Sequence, residues 1–182
     1  MTILEGIEAV AAWLEDDAVC DMALMRPMRN PGSSPEPPDT VRPSVHRMYI
    51  PPAGLAESAE MWPGIMVALA SGTDRIRSSE RTMRYTLTLV VWNPGSWVDG
   101  ELVPDAGGWR DLWNMADRVL RALKDTETIG DSMRIDYGEG IDYGPMVDGD
   151  GAIMDLYPLY AAHIDFTCKT MVPTQAMVER YL

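Results

Sequence analysis

The chain has 182 residues, 46% of them hydrophobic and 24% charged, with 28 acidic against 15 basic side chains and a net charge of −13. That length supports one sizeable core with loops and is short for two domains, so a single domain over 1–182 is the expectation. The acid excess weighs against a nucleic-acid reader, whose binding rests on Lys and Arg neutralising phosphates, and acidity of this size ordinarily serves solubility.

In chain order, Thr2 and Glu5 are spaced as a capping box, and Ile3, Ile7, Val10, Ala11 and Leu14 fall on one face at helical spacing, so a first helix is expected there. Asp16 and Asp17 stand at its C-terminal end, where negative charge is disfavoured and fraying is expected. The first twenty residues hold no Lys or Arg, the reverse of a secretory n-region, and no run of about 18 apolar residues appears; a soluble, unexported chain with no membrane partner is expected. Residues 18–25 fit a short strand. From 27 to 43 prolines and Gly-Ser-Ser predict an exposed loop, in which Pro35 and Pro38 have PxxP spacing.

Val45–Ile50 alternates weakly and fits a strand, Pro51-Pro52 predicts a turn, and a short helical turn fits 54–60. GIMVALASG at 64–72 reads as a strand buried on both faces. After a polar turn over 73–80, TMRYTLTLVVW puts Tyr85, Leu87, Leu89 and Val91 on one face and Arg84, Thr86 and Thr88 on the other, a strand pairing with 64–70 as a hairpin. Residues 93–108 form a polar excursion rich in Gly and Pro. In the helix expected over 109–124, Leu112, Ala116, Val119, Leu120 and Leu123 trace one apolar stripe that must cover the sheet. Asp105 or the Gly107-Gly108 pair frames its start. SMRIDY at 132–137 reads as a strand and 138–155 as an acidic, Gly-rich loop. In the strand at 159–169, Tyr160, Ala162, Ile164, Phe166 and Cys168 point inward and Ala161, His163, Asp165 and Thr167 outward. Pro173 ends the pattern, and a short amphipathic turn follows.

The side chains that carry chemistry offer few constellations. Cys20 and Cys168 are too few and too far apart for a disulfide framework or zinc site, and Cys168 reads as a small buried hydrophobe. His163 and Cys168 point to opposite faces of one strand and cannot share an ion. His163 and Asp165 share a face about 7 Å apart, two strand rises, and an exposed ion pair is the ordinary reading. Asp136, Glu139, Asp142, Asp148, Asp150 and Asp155 supply oxygens for a hard cation, but the EF-hand pattern fails: Ile153 stands where glycine belongs and no Glu closes the loop. Gly138, Gly140 and Gly144 miss the dinucleotide fingerprint. With no GxSxG, GxxxxGK(S/T) or HExxH, and two histidines far apart, a non-enzymatic protein without a cofactor is expected. Six Trp stand beside one Phe. Trp13 and Trp113 adjoin helical stripes. Trp92 and Trp97 flank the Asn93-Pro94-Gly95 turn, where they either contact a partner or fold back on their own sheet.

The fold class expected is α+β, a mixed or antiparallel sheet packed by two main helices with long polar loops. A starting helix, a hairpin of GIMVALASG and TMRYTLTLVVW, a helix reading GWRDLWNMADRVLRAL, then SMRIDY and a closing LYAAHIDFTCK follow one another. In that order the chain resembles the tail terminator, or tail completion, proteins of long-tailed bacteriophages, over roughly 3–14 and 64–169. The resemblance implies a homo-oligomeric ring, usually a hexamer, that caps the tail tube, ends tube polymerisation and offers a surface to the head–tail connector. The implied partners are the tail tube protein and the connector, with DNA passing through an acidic lumen unbound. The implied location is the virion tail or neck, and the host cytoplasm during assembly. Tyr85, Trp92, Trp97, His163 and Asp165 are the residues put forward for subunit or ring contacts. The loops at 27–43, 93–108 and 138–155 exceed what a minimal terminator needs and are candidates for ring-to-ring contact. A head–tail joining or neck protein is the alternative of the same class. A cation-dependent enzyme centred on 138–155 and a monomeric module using the proline-rich loop are the alternatives of other classes.

Overall fold

The structure is a computed structural model and describes residues 1–16, 19, 21–27, 39–49, 61–75 and 77–172. Cys20, most of the proline-rich loop, the turn expected at 54–60 and the tail from 173 lie outside the described residues.

Thr2 opens helix α1 (Ile3–Glu15) as its spacing predicts: the Glu5 amide donates to the Thr2 hydroxyl at 3.2 Å, and the Thr2 amide donates to the Glu5 carboxylate at 2.6 Å. Gly6, Ile7, Val10, Ala11 and Leu14 are buried, while Ile3, expected on the same face, is half exposed in the first turn. At the other end the acidic terminus is offset from outside the helix. Arg47 donates to Glu8 and to Glu15, both at 2.8 Å, and ties α1 to the strand that carries it.

Among the described residues the strands are β1 (Leu24–Met25), β2 (Thr40–Val41), β3 (Ser44–Arg47), β4 (Gly64–Arg75), β5 (Glu80–Trp92), β6 (Ser96–Val98), β7 (Glu101–Val103), β8 (Thr128–Ile129), β9 (Met133–Ile135), β10 (Ile141–Pro145) and β11 (Leu159–Met171). The second helix, α2, spans Gly108–Asp125. The main sheet runs β3-β4-β5-β11-β9-β8, with β10 also on β11; β1-β2 and β6-β7 are separate ribbons. The β3–β4 pair is parallel and the other pairs are antiparallel, so the protein is α+β with a mixed sheet.

The last strand of the chain lies in the middle of that sheet. β11 pairs with β5 from Leu159↔Trp92 to Met171↔Glu80, and its other edge is shared by β10, against Ala162 to Phe166, and β9, against Cys168 and Lys169. The β4–β5 hairpin forms as expected but is longer: cross-strand ion pairs Asp74–Arg81 and Arg75–Glu80 carry the ladder past a register shift at Leu69/Ser71 as far as Arg75↔Glu80. β10 is a strand where the sequence suggested loop, and β8 falls between the expected helix and the 132–137 strand, where no element was expected.

One face of the sheet is dry. Ile65, Val67, Met83, Tyr85, Leu87, Leu89, Val91, Ala162, Ile164, Phe166 and Cys168 are all buried there beneath the helices, in one cluster with the α2 stripe Leu112, Met115, Ala116, Val119, Leu120 and Leu123. Burial also pushes the Cys168 thiol up to about 12. On the opposite face Met66, Ala68, Thr86, Thr88, Ala161, His163, Asp165 and Thr167 are only half-buried, so β4 is not sealed on both sides as its apolar run suggested.

Gly6 decides how closely α1 approaches. A Cβ there would stand 2.5 Å from the Tyr85 hydroxyl and 3.1 Å from Met83 Cε. In an open helix Gly→Ala gains roughly 1 kcal/mol, whereas overpacking a tight contact costs about 1–3 kcal/mol. Gly6→Ala is therefore expected to lower stability, and the loss to shrink in a Tyr85→Phe background that removes the oxygen, read by urea denaturation as a double-mutant cycle. A stabilising Gly6→Ala in both backgrounds would contradict this packing.

Candidate interaction surface

The C-terminal end of β5 meets the N-terminal end of β11 and the start of α2, and one buried polar residue organises the junction. Asn93 is 6% exposed. Its amide donates to the Pro158 carbonyl at 2.9 Å, its Nδ2 donates to Asp111 Oδ2 at 2.7 Å, and its Oδ1 accepts from the Gly95 amide at 2.9 Å. One side chain thus joins the turn after β5 to the first turn of α2. No side chain caps the start of α2, where Gly107 is the N-cap. Asp105 frames the approach instead, accepting from the Gly107 amide at 2.6 Å and from the Ser96 hydroxyl at 2.5 Å, contacts that hold its carboxyl below the usual range. Gly108 lies flat on the Tyr160 ring, where a Cβ would collide with the ring carbons.

This junction displays apolar groups outward. A groove of about 390 Å³ runs between the first turns of α2 and the segment before β11, lined by Trp109, Trp113, Ile153, Leu156, Tyr157 and Tyr160 among others. Trp109 is 50% exposed, Ile153 71% and Tyr157 48%. The rings are held rather than loose: the Tyr157 hydroxyl donates to the Pro94 carbonyl at 2.6 Å, the Tyr157 and Tyr160 rings meet edge to face at 6.5 Å, and Trp113 meets Tyr143 in the same way at 6.5 Å. The Arg110 guanidinium sits 5.4 Å from the Trp109 ring centre. A bridge between Val147 and Ile153 makes a small hairpin beside the groove, with Asp148 Oδ1 accepting from the Asp150 and Ala152 amides across its turn.

The five residues put forward from sequence do not converge. Tyr85 is fully buried in the core, stacked on Phe166 with ring centres 5.6 Å apart, and its hydroxyl donates to the Met83 and Met133 sulfurs; it therefore presents no surface to a partner. Trp92 and Trp97 are half-buried near the groove end, Trp92 opposite Leu159 and Trp97 opposite Leu102. His163 and Asp165 lie mid-strand on the half-open face. Asp165 is not paired with His163: it accepts from Thr86 at 2.6 Å and from Arg84 at 3.0 Å, while Arg84 also reaches Asp142 at 3.5 Å.

The acids of the 136–155 stretch are likewise spread among local partners. Asp136 binds Lys169 at 2.5 Å and Asp155 accepts from the Tyr157 amide at 3.2 Å. Among the described residues no group of three or more His, Cys, Asp or Glu stands together as a metal would require. No described helix is long and apolar enough to cross a membrane. Sequence reasoning missed Trp109, Ile153, Leu156 and Tyr157 as a surface. The available signal was AIMDLYPLY, an apolar run set inside an acidic, Gly-rich stretch.

The Asp136–Lys169 pair carries a pH expectation. The hydrogen bond from Lys169 lowers the Asp136 carboxyl below its ordinary 3.8, and the carboxylate raises Lys169 above its ordinary 10.5. A depressed acid stabilises above its unfolded pKa and loses that stabilisation as pH falls through the folded value; a raised base stabilises below its unfolded pKa and loses it as pH rises through the folded value. The melting-temperature deficit of Asp136→Asn is expected to be constant from about pH 5 to 9, and to shrink below about 4 and above about 10.5. A deficit that grows toward acid would contradict the pairing.

No family model matches the chain, and no curated protein is similar to it.

Proposed function

We propose that this protein is a structural subunit that assembles with copies of itself into a ring, and that the ring caps a bacteriophage tail tube. The observation that carries the assembly step is the groove at the β5–α2–β11 junction, where the large side chains of Trp109, Ile153 and Tyr157 are 48% to 71% exposed. Aromatic and aliphatic groups held in place by hydrogen bonds and ring contacts are what a docking surface needs, since little side-chain freedom is lost on binding. The step from assembly to tail capping rests on the resemblance in element order. The fold is compatible with it, setting both helices on one face of a mixed sheet. In such a ring the exposed face would no longer match the tube protein, and tube growth would stop. A net charge of −13 suits a lumen that lets DNA pass without sticking.

Light scattering with particle imaging tests the ring. Closed particles near six times the 20.2 kDa subunit, about 121 kDa, are expected for a cyclic hexamer. Added to polymerising tail tube protein, the ring is expected to shorten the tubes and decorate one end. Binding to the connector without any effect on tubes would make it a neck protein instead. A chain that binds neither sinks the reading.

A further inference from the structure

The two ends of the β5–β11 pair differ in both charge and apolar content. β5 spans thirteen residues, Glu80–Trp92, so its ends stand about 40 Å apart along the strand. At the hairpin end, segment 71–84 carries Arg75, Arg77, Arg81 and Arg84 against Asp74 and Glu80, a local positive excess in an acidic chain. Arg81 is committed to Asp74 and Arg84 to Asp165; Arg75 pairs with Glu80 at 3.3 Å yet stays largely exposed, and Arg77 is exposed at the turn. Three exposed apolar side chains belong to the same end. Met171 lies opposite Glu80 in the ladder, and Ile3 and Leu4 follow Met1, whose carbonyl accepts from Arg81 at 3.2 Å. At the groove end, segments 93–111 and 147–157 carry seven acids against Arg110 alone. Asp148, Asp150 and Asp155 stand beside the apolar groove.

An acidic apolar surface and a basic apolar surface complement each other, and neither complements a copy of itself. Groove against groove would bring like charges together. We infer that neighbouring subunits join head to tail, with Ile3, Leu4 and Met171 of one copy against the Trp109–Ile153–Tyr157 groove of the next, and Arg75 and Arg77 facing Asp148, Asp150 and Asp155. This inference rests on the ring reading and specifies its contact. The occupant of the groove is a second copy of this chain, and because the two surfaces are different the contact is heterologous, the kind that repeats around a ring. The charged part of the contact makes assembly weaken as salt rises.

Two variants used together test it. Leu4→Asp with Arg77→Glu removes the hairpin-end surface without touching the Arg75–Glu80 pair and leaves the groove; Ile153→Asp removes the groove and leaves the hairpin end. All three positions are exposed, so melting temperatures are expected to match the wild type, and circular dichroism checks this. Each variant alone is expected to sediment as a monomer where the wild type assembles. An equimolar mixture is expected to form a 1:1 dimer and nothing larger, because only one productive contact remains per pair. Variants that assemble like the wild type, a mixture that stays monomeric, or a wild type monomeric at every concentration each overturn the contact. Wild-type rings that are lost in both variants and restored as a dimer in the mixture, yet do not shorten tail tubes, would uphold the contact and sink the tail-capping reading alone.

Discussion

Phe166→Ala is expected to cost about 3–5 kcal/mol, the largest stability loss of any single truncation considered for this protein. The side chain is 1% exposed and stacks on Tyr85 with ring planes 28° apart. Its strand neighbours are Tyr85 on β5 and Ile141 on β10, so the ring sits where the two halves of the sheet join. The cavity cannot close by moving a loop, since the strands on either side are fixed by the β11 ladder, and the loss falls at the upper part of the range. Phe166→Leu keeps most of the volume and is expected to cost under about 1.5 kcal/mol. Thr167→Ala, one residue on and facing the half-open side, is expected to stay within about 0.5 kcal/mol. Urea midpoints of the three variants test the order. A Phe166→Ala loss below that of Thr167→Ala would place β11 with the wrong face inward.

Asn93→Leu is expected to cost about 2–4 kcal/mol, because it strips a donor from the Asp111 carboxylate and leaves the buried Gly95 amide without its acceptor, losses of about 1–3 kcal/mol each. The shape of the residue is nearly kept, so the effect reads the hydrogen bonds rather than a void. Asn93→Asp is a sharper probe. It retains the acceptor for Gly95 but sets a second carboxylate against Asp111, at the 2.7 Å now spanned by an amide donor. Like charges at that distance raise the pKa of the pair. The Asn93→Asp variant is therefore expected to be less stable than wild type at neutral pH and to recover as pH falls toward 4 and one carboxyl takes a proton. Exchanging the two residues, Asn93→Asp with Asp111→Asn, restores one donor and one acceptor and is expected to recover most of the loss. Thermal melts across pH decide it; a deficit independent of pH, with no recovery in the exchange, would remove Asn93 from its clamping role. Since the same junction shapes the groove, Asn93→Leu is also expected to weaken self-assembly although Asn93 itself is buried.

What the chain determined locally is legible in its periods. The capping box at Thr2 and Glu5, the buried stripe of α2 and the inward faces of β5 and β11 follow from 3.6- and 2-residue repeats, which need only neighbours along the sequence. The α+β class follows from the same repeats. Tertiary structure alone decided the rest. β11 closes the sequence yet occupies the centre of the sheet, and β10 is a strand because β11 offers it an edge, although IDYGP has a glycine, a proline and an acid against it. Asp165 found Arg84 and Thr86 across the strands rather than His163 along its own. Tyr85, named for a contact surface, became core because both its face and the helix above it are apolar, and only the approach of Gly6 brings that helix down. The groove belongs to the same class: its residues come from α2, from 153–157 and from β11, far apart in sequence, and they meet because Asn93 and Gly108 hold three chain segments at one corner. Local repeats carry information about which side of an element is wet. Which elements become neighbours depends on pairing and packing between distant residues, and it is that pairing which gathered Trp109, Ile153 and Tyr157 into one groove.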